Sequence, residues 1–173
     1  MPPPPRAFGL ALLAAAWTAV AWHANAQASL EYSVKASYLV RFSAFADWPH
    51  GAFDGDAPLT ICVVGRDPFG MALDRAAATQ TANGRALSVQ RPSTSDLAGC
   101  HIAYLGQGAV APATPPRAVL LITDEAVAAR RGAIHFVVAQ GRVRFHIDQH
   151  LARSADVSLN SRLLALALSV KGG

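Results

Sequence analysis

Residues 133–148 alternate between apolar and polar side chains on either side of Gln140-Gly141. Alternation of this length is typical of β-strands with one buried face, and a two-residue connection containing glycine is typical of a tight hairpin. A hairpin with these two residues in the turn places His135 opposite His146. A slip by one residue would turn every apolar side chain towards solvent, so the register is strongly specified. The fold must therefore place a core against one face of this hairpin.

The two faces of the predicted hairpin differ in character. The apolar face, which we expect to contact the core, carries Ile134, Phe136, Val138, Val143, Phe145 and Ile147. The other face carries His135, Val137, Arg142, Arg144 and His146. Three interpretations of this second face remain open: a solvated outer face, a pH-sensitive partner surface, or a metal site at the histidines. The neighbouring arginines disfavour a cation and favour an acidic partner or an anionic ligand.

The rest of the sequence predicts strands alternating with helices. Apolar residues recur every four positions from Leu30 to Phe42, which predicts a helix over 29–46. This order predicts an α/β, three-layer sandwich with a mostly parallel central sheet, an antiparallel edge hairpin and helices on both faces. Further strands are predicted at 59–64, 86–90, 101–105 and 118–122, and further helices at 68–78, 123–130 and 159–170. The last of these helices is apolar on most sides, so we expect it to be largely buried.

The first 26 residues have the pattern of a secretory signal peptide. Arg6 precedes an apolar stretch over residues 7–22, and Ala24-Asn25-Ala26 provides a small-residue cleavage box. An uncleaved anchor is the alternative, but this stretch reaches only about 24 Å as a helix, short of a bilayer core of about 30 Å. We therefore expect cleavage before Gln27. The remaining residues, 27–173, are expected to form a single domain in the periplasm, with no stable membrane anchor.

Two cysteines, Cys62 and Cys100, lie in the expected mature chain. An oxidising compartment favours a disulfide between them, which would contribute about 3–4 kcal/mol by restricting the unfolded chain. Two buried free thiols are the alternative, because cysteine also packs as a small apolar residue. A redox enzyme is disfavoured, since the sequence has no C-x-x-C motif.

Charge and motifs argue against several functions. The sequence pI is about 9.6, but the basic residues are scattered, which disfavours nucleic-acid binding. Glycine-rich nucleotide loops and the common metalloprotease and hydrolase motifs are absent, so we expect neither an enzyme nor a cofactor. Asp67 and Asp124 each follow a predicted strand and could form a carboxylate pair. Each is also explained as a helix N-cap, which is the interpretation we favour.

Several motifs in order resemble the YfiR family. The first predicted helix carries Tyr32-Ser33-Val34-Lys35-Ala36-Ser37-Tyr38-Leu39 and is followed by Trp48-Pro49, and the first strand is followed by Asp67-Pro68-Phe69-Gly70. The resemblance spans residues 30–170. Its other segments are Ile61-Cys62-Val63-Val64-Gly65, Gly84-Arg85, Cys100-His101-Ile102, Gly141-Arg142-Val143-Arg144-Phe145 with Ile147, and Leu163-Leu164 with Leu166-Ala167.

The resemblance implies regulation rather than catalysis. Members of this family are periplasmic, and the characterised member is a homodimer. It binds the periplasmic sensor region of an inner-membrane diguanylate cyclase and holds the cyclase inactive. Cys62 and Cys100 match two family cysteines that form a disulfide. A second cysteine pair that members often carry is absent here, which excludes redox control through that pair.

Repression of a diguanylate cyclase, and thereby of cyclic-di-GMP synthesis and biofilm formation, is the function that this resemblance favours. It requires a stable exported scaffold with an exposed apolar or charged surface. We expect partner contacts at the outer hairpin face, at Arg142, Arg144 and His146, and at exposed aromatic residues after the first helix, Trp48 and Phe53.

Two other functions belong to different classes. A periplasmic small-ligand binding protein would have a pocket at the carboxyl ends of the strands, near Asp67 and Asp124. A metal-dependent hydrolase would use His135, His146 and an aspartate, and the missing motifs disfavour it.

Overall fold

A long helix precedes a mixed β-sheet in this computed structural model, which describes residues 28–125 and 132–172. The predicted signal peptide lies outside these residues. Helix α1 covers residues 28–45, close to the prediction. The other helices are α2 (Met71–Ala78), α3 (Gln149–Ser154) and α4 (Ser161–Leu166). The strands are β1 (Ala46–Asp47), β2 (Leu59–Val64), β3 (Thr81–Ala82), β4 (Arg85–Gln90), β5 (Ile102–Leu105), β6 (Leu120–Asp124), β7 (Ile134–Ala139), β8 (Arg142–Asp148), β9 (Ser158–Leu159) and β10 (Ser169–Lys171).

Eight strands form the main sheet, in the order β10-β8-β7-β6-β5-β2-β4-β3, while β1 pairs with β9. The central strands from β4 to β7 are parallel to their neighbours, whereas β7–β8 and β3–β4 are antiparallel. The predicted α/β sandwich with a mostly parallel sheet is confirmed. One short strand, β10, lies outside the predicted edge hairpin and pairs with β8 in parallel.

The hairpin has the predicted register. His135 pairs with His146 and Phe136 with Phe145. Gln140 and Gly141 both have positive φ, 53° and 69°, as the favoured two-residue hairpin turn requires. The apolar face is buried near the centre of the sheet, but Val138, close to the turn, is 46% exposed.

Side chains are buried on both faces of the main sheet. Helices α1 and α2 pack on one face, where Phe42 contacts the rings of Phe136 and Phe145. On the other face, a smaller cluster surrounds Cys62 and Leu121 and is covered by the segments that precede β5 and β6. Asp124 is the last residue of β6, and most of the helix predicted over 123–130 lies outside the described residues.

The prediction of one buried helix over 159–170 was wrong. Asn160 caps the short helix α4 by accepting a hydrogen bond from the Leu163 N–H. The chain then becomes extended, because the Leu168 N–H donates to the Phe145 carbonyl and brings β10 alongside β8. Among the helices in the described parts of the chain, none is long and apolar enough to cross a lipid bilayer.

Helix α2 begins three residues later than predicted. The Asp67 carboxylate accepts hydrogen bonds from the Phe69 and Gly70 N–H groups, which forms a separate turn before the helix. Gly70 has a φ of 50°, a conformation that an α-helix does not adopt, so α2 starts at Met71.

Candidate functional site

The outer hairpin face places two arginines in solvent beside a partly covered histidine. Arg142 and Arg144 are exposed, whereas His146 is half-buried and its Nδ1 lies 2.6 Å from Ser169 Oγ on β10. Neither arginine forms an ion pair with any residue in the described parts of the chain. These three side chains therefore share one sheet face, where two guanidinium groups are available to an acidic partner.

His135 lies opposite His146 in the hairpin but belongs to the interior. Its side chain is buried, and its Nδ1 lies 2.9 Å from Thr123 Oγ1. The same hydroxyl accepts a hydrogen bond from the Gly132 N–H. The structure therefore brings the two histidines into register while giving each a separate hydrogen-bond partner. No group of three potential metal-ligating side chains occurs within residues 28–125 and 132–172.

Trp48 and Phe53 are half-buried rather than exposed, which corrects the expectation from sequence. The Trp48 indole N–H donates to the His101 carbonyl at 3.3 Å, and the Phe53 ring stacks on the His101 ring with centroids 4.3 Å apart. The guanidinium group of Arg85 lies over the Phe53 ring, 4.3 Å from the ring centroid. These contacts hold the segment after α1 against the amino end of the sheet, and they leave only part of each aromatic ring for a partner.

His101 is the centre of this aromatic cluster. Its Nδ1 accepts a hydrogen bond from the Thr60 N–H at 3.1 Å, so the other ring nitrogen carries the proton and donates to the Ala52 carbonyl at 2.9 Å. Burial lowers the pKa of His101, although its bond to the Ala52 carbonyl acts in the opposite direction. The neutral imidazole therefore fits this site, and protonation would cost the bond from Thr60.

Cys62 and Cys100 form a disulfide, with their Cα atoms 5.8 Å apart. Cys62 lies within β2 and Cys100 lies two residues before β5, next to His101. Both side chains are buried in the smaller of the two apolar clusters. The bond therefore fixes the segment that covers this face to the central strand β2.

Asp67 and Asp124 do not form the carboxylate pair considered from sequence, since each has its own partners. The Asp67 carboxylate accepts from two backbone N–H groups and from Arg91 Nε at 2.6 Å. Arg91 also bonds Asp74 on α2, which holds the pKa of that carboxyl below its usual value. Asp67 thus stabilises the turn before α2 rather than capping the helix as predicted, because the N-cap residue of α2 is Gly70.

Asp124 belongs instead to a buried polar cluster between β6 and α1. Its carboxylate accepts from the Tyr104 hydroxyl and lies 3.3 Å from Lys35 Nζ, which also lies 2.5 Å from Glu31 Oε1. Burial and the neighbouring carboxylate raise the pKa of Tyr104. Burial alone would lower the pKa of Lys35, but the two acidic partners outweigh it and the pKa is raised. The lysine therefore stays charged and ties α1 to the sheet.

The sequence carries only a partial local signal for this cluster. The four-residue spacing of Glu31 and Lys35 is a local signal for a helical ion pair. Nothing local could have shown that Lys35 is buried, because that depends on the packing of α1 over the end of β6.

A small-ligand pocket was expected at the carboxyl ends of the strands, where the loops that follow β2 and β5 contact each other. The Arg66 N–H donates to the Gln107 carbonyl at 2.9 Å, and a Cβ on Gly65 would lie 2.8 Å from that same oxygen. A cavity of about 830 Å³ lies instead at the amino ends of the strands, lined by residues that include Phe53, Thr60 and His101. The expected position of a small-ligand pocket is therefore not the position of this cavity.

Exposed apolar side chains at the C-terminus form a surface that the sequence analysis placed in the core. Leu166 is 57% exposed, Leu168 44% and Val170 40%. Because Ser169 pairs with His146, this surface adjoins the hairpin at the outer edge of the sheet. Leu166 ends α4, whereas the alternation of Leu168 and Val170 is the signal for an extended segment. Leucine and alanine also favour helices, so this signal was missed. We name Arg142, Arg144, His146, Leu166, Leu168 and Val170 together the outer-edge surface.

Comparison with protein-family models identifies a family for this chain. The sequence from residue 32 to residue 168, from α1 almost to β10, matches the family described as YfiR/HmsC-like. None of the curated proteins matches this chain. The family is regulatory and non-catalytic, its members are periplasmic, and they act in cyclic-di-GMP signalling. The protein described here belongs to the YfiR/HmsC-like family.

Proposed function

We propose that this protein is exported to the periplasm and represses an inner-membrane diguanylate cyclase by binding its periplasmic sensor region. Repression of this kind lowers cyclic-di-GMP and biofilm formation. A bound regulator changes the activity of a membrane enzyme only if it binds the inactive conformation more tightly than the active one. The protein therefore needs a binding surface and a stable scaffold, and it needs no catalytic group.

The observation that supports this proposal most directly is the outer-edge surface. Arg142 and Arg144 project from one face of the sheet edge. Val170 on β10 pairs with Ile147 and is exposed on the opposite face of the same edge, and Leu168 is exposed directly before β10. Arginine and large apolar side chains are enriched where proteins bind each other, so a partner that encloses this edge of the sheet would gain contacts on both of its faces. Trp48 and Phe53 belong to the proposal as a second, smaller contact, because each ring is only half-covered.

A homodimer is also part of the proposal. The family resemblance motivates it. Light scattering on the exported protein measures the mass directly. A mass of one chain at micromolar concentration would remove the dimer from the proposal and leave the repressor function untouched.

The test of the repressor function is intracellular cyclic-di-GMP in the native host, with and without this gene. We expect deletion to raise cyclic-di-GMP, and we expect the exported protein, but not a form lacking residues 1–26, to restore it. Unchanged cyclic-di-GMP under several growth conditions would reject constitutive repression.

Two substitutions connect this test to the outer-edge surface. Leu166→Ser combined with Leu168→Ser should abolish complementation, because the partner would lose apolar contact area. Met71→Ser is a matched control, since Met71 is 64% exposed on α2, away from this edge. Equal complementation by both variants would place the partner contact elsewhere.

The alternative function is that of a periplasmic small-ligand binding protein that acts on a sensor or transporter. The cavity of about 830 Å³ supports this alternative, because its lining combines the half-buried Phe53 ring with polar groups of Thr60 and Ser88. If deletion leaves cyclic-di-GMP unchanged, thermal-shift screening of the exported protein with periplasmic metabolites becomes the decisive measurement.

A further inference from the structure

Strand β8 is longer than the strand that covers its outer side. β10 pairs only with His146, Ile147 and Asp148 of β8. No strand in the described parts of the chain lies beside residues 142–144. The half of β8 nearest the hairpin turn is therefore an open edge of the main sheet.

The backbone of this open edge points polar groups outwards. The Phe145 carbonyl accepts from the Leu168 N–H on the outer side, whereas the Asp148 N–H donates inwards to the Ala133 carbonyl. Because backbone groups of alternate residues in a strand point the same way, the Val143 N–H and C=O point outwards like those of Phe145. Val143 therefore offers one donor and one acceptor to an added strand.

A partly apolar groove adjoins this edge on the α1 side of the sheet. It has a volume of about 340 Å³, and α1 contributes Leu30, Val34 and Tyr38 to it. The hairpin contributes Val138 and Val143, and Gly141, Arg142 and Arg144 also border the groove. Leu30 is 60% exposed and Val138 46%. Glu31 also borders the groove, but its carboxylate is bonded to Lys35. A side chain on an added strand would enter this groove if it lay beside Val143.

The opposite side of the same edge is positively charged. Arg142 and Arg144 flank Val143 in the sequence, so their side chains lie on the other face of the sheet. Neither forms an ion pair among the described residues. Side chains directly opposite each other on paired strands lie on the same face of the sheet. An added strand that carries acidic residues opposite the two arginines would therefore be favoured.

Charge disfavours two occupants that belong to the chain itself. A second copy pairing antiparallel about Val143 would place Arg142 opposite Arg144 of that copy, which is unfavourable for like charges. The segment before α1, residues 1–27, contains no Asp or Glu and cannot complement the arginines. The favoured occupant is therefore a segment of a different polypeptide.

We propose that the open edge of β8 binds an extended segment of a partner protein in which acidic residues alternate with apolar ones. The apolar residue beside Val143 fills the groove, the flanking carboxylates pair with Arg142 and Arg144, and the backbone adds a short strand to the sheet. This inference rests on the proposed function only for the identity of the partner, since it specifies the kind of segment that the partner presents.

The test uses the exported protein and a fluorescein-labelled peptide, Thr-Glu-Val-Glu-Leu-Glu-Thr, with blocked termini. Fluorescence anisotropy should show saturable binding, and a peptide with Lys at each Glu position should bind at least about tenfold more weakly. Arg142→Glu with Arg144→Glu should weaken binding of the acidic peptide by about tenfold or more. Arg41→Glu with Arg75→Glu makes the same change in net charge at exposed positions elsewhere, and should leave binding unchanged.

N-methylation of the peptide tests the added strand separately from charge. Methyl groups on one alternate set of backbone nitrogens should abolish binding, while methyl groups on the other set should leave it intact, because only one set faces β8. No saturation below about 1 mM, or equal binding of the two N-methylated peptides, would overturn the proposal.

The two proposals fail in different ways. If deletion of the gene raises cyclic-di-GMP but the acidic peptide does not bind, the repressor function stands and this binding mode is wrong. If the peptide binds as described and deletion has no effect on cyclic-di-GMP, the binding mode stands and the partner is not a cyclase.

Discussion

The two faces of the central sheet are stabilised in different ways. The α1 face buries an aromatic cluster that joins the helix to three strands, together with the charged Lys35. The disulfide face buries mainly small and aliphatic side chains, such as Ala103 and Leu121, beneath connecting segments. The covalent bond between Cys62 and Cys100 therefore lies where apolar burial is smaller. An exported chain can use a thin covering layer if a disulfide restrains the segment that forms it.

Substitution on the α1 face should have the largest effect on stability. Phe42 is buried and contacts the rings of Tyr38, Phe136 and Phe145. We expect Phe42→Ala to lower the free energy of unfolding by about 3–5 kcal/mol, because it removes a large buried ring and leaves a cavity. Urea denaturation measures this loss, and Phe53→Ala, at a half-buried ring, is the control with a smaller expected loss. A loss below about 1 kcal/mol for Phe42→Ala would mean that α1 is not the principal cover of the core.

Removal of the disulfide should rank second. Cys62→Ala combined with Cys100→Ala opens a loop of 38 residues, and we expect the free energy of unfolding to fall by about 2–4 kcal/mol. A reductant should lower the melting temperature of the natural protein and leave that of the double variant unchanged. If the double variant is as stable as the oxidised protein, the disulfide does not stabilise the covering segments on its face of the sheet, and the two faces do not differ in the way described.

The pH dependence of stability should come third, and it concerns the border of the disulfide face. Burial lowers the pKa of His101 below its ordinary value of 6.5, so the folded protein binds a proton here less readily than the unfolded chain. The resulting contribution of His101 to the free energy of unfolding is fully present above about pH 6.5 and decreases as the pH falls below that value. We expect denaturation at pH 7 and pH 5 to show a smaller difference for His101→Asn than for the natural protein. Equal differences would show that folding does not lower the pKa of His101, whatever the behaviour of the other histidines.

The parts of the fold that were predictable from sequence are those with a local cause. The hairpin was predictable because alternation fixes its faces and Gln140-Gly141 fixes its turn, and β2 was predictable because an apolar run ends at a glycine. The C-terminal segment was not, because leucine and alanine favour a helix while the structure pairs residues 169–171 with β8. That pairing depends on a distant strand and leaves no local trace except weak alternation.

In the candidate site, too, the features with a local cause were predictable from sequence and those that depend on distant residues were not. Exposure of Arg142 and Arg144 followed from the alternation, but the burial of Trp48 and Phe53 against His101 depends on residues about fifty positions apart in the chain. The Lys35–Asp124 contact spans 89 positions and was equally invisible. The open edge of β8 required knowledge of where β10 ends, which only the three-dimensional pairing provides.

The smallest effect on stability is expected at the outer side of the hairpin, which is the part of the disulfide face that no other segment in the described parts of the chain covers. Arg142→Glu combined with Arg144→Glu changes two exposed side chains that form no ion pair among the described residues, so the free energy of unfolding should change by less than about 0.5 kcal/mol. Partner binding should weaken markedly in the same variant, because reversed charge repels acidic residues. Circular-dichroism melting and complementation of the deletion strain measure the two effects independently. A large loss of stability with full complementation would mean that the arginines serve the fold and that the partner binds elsewhere.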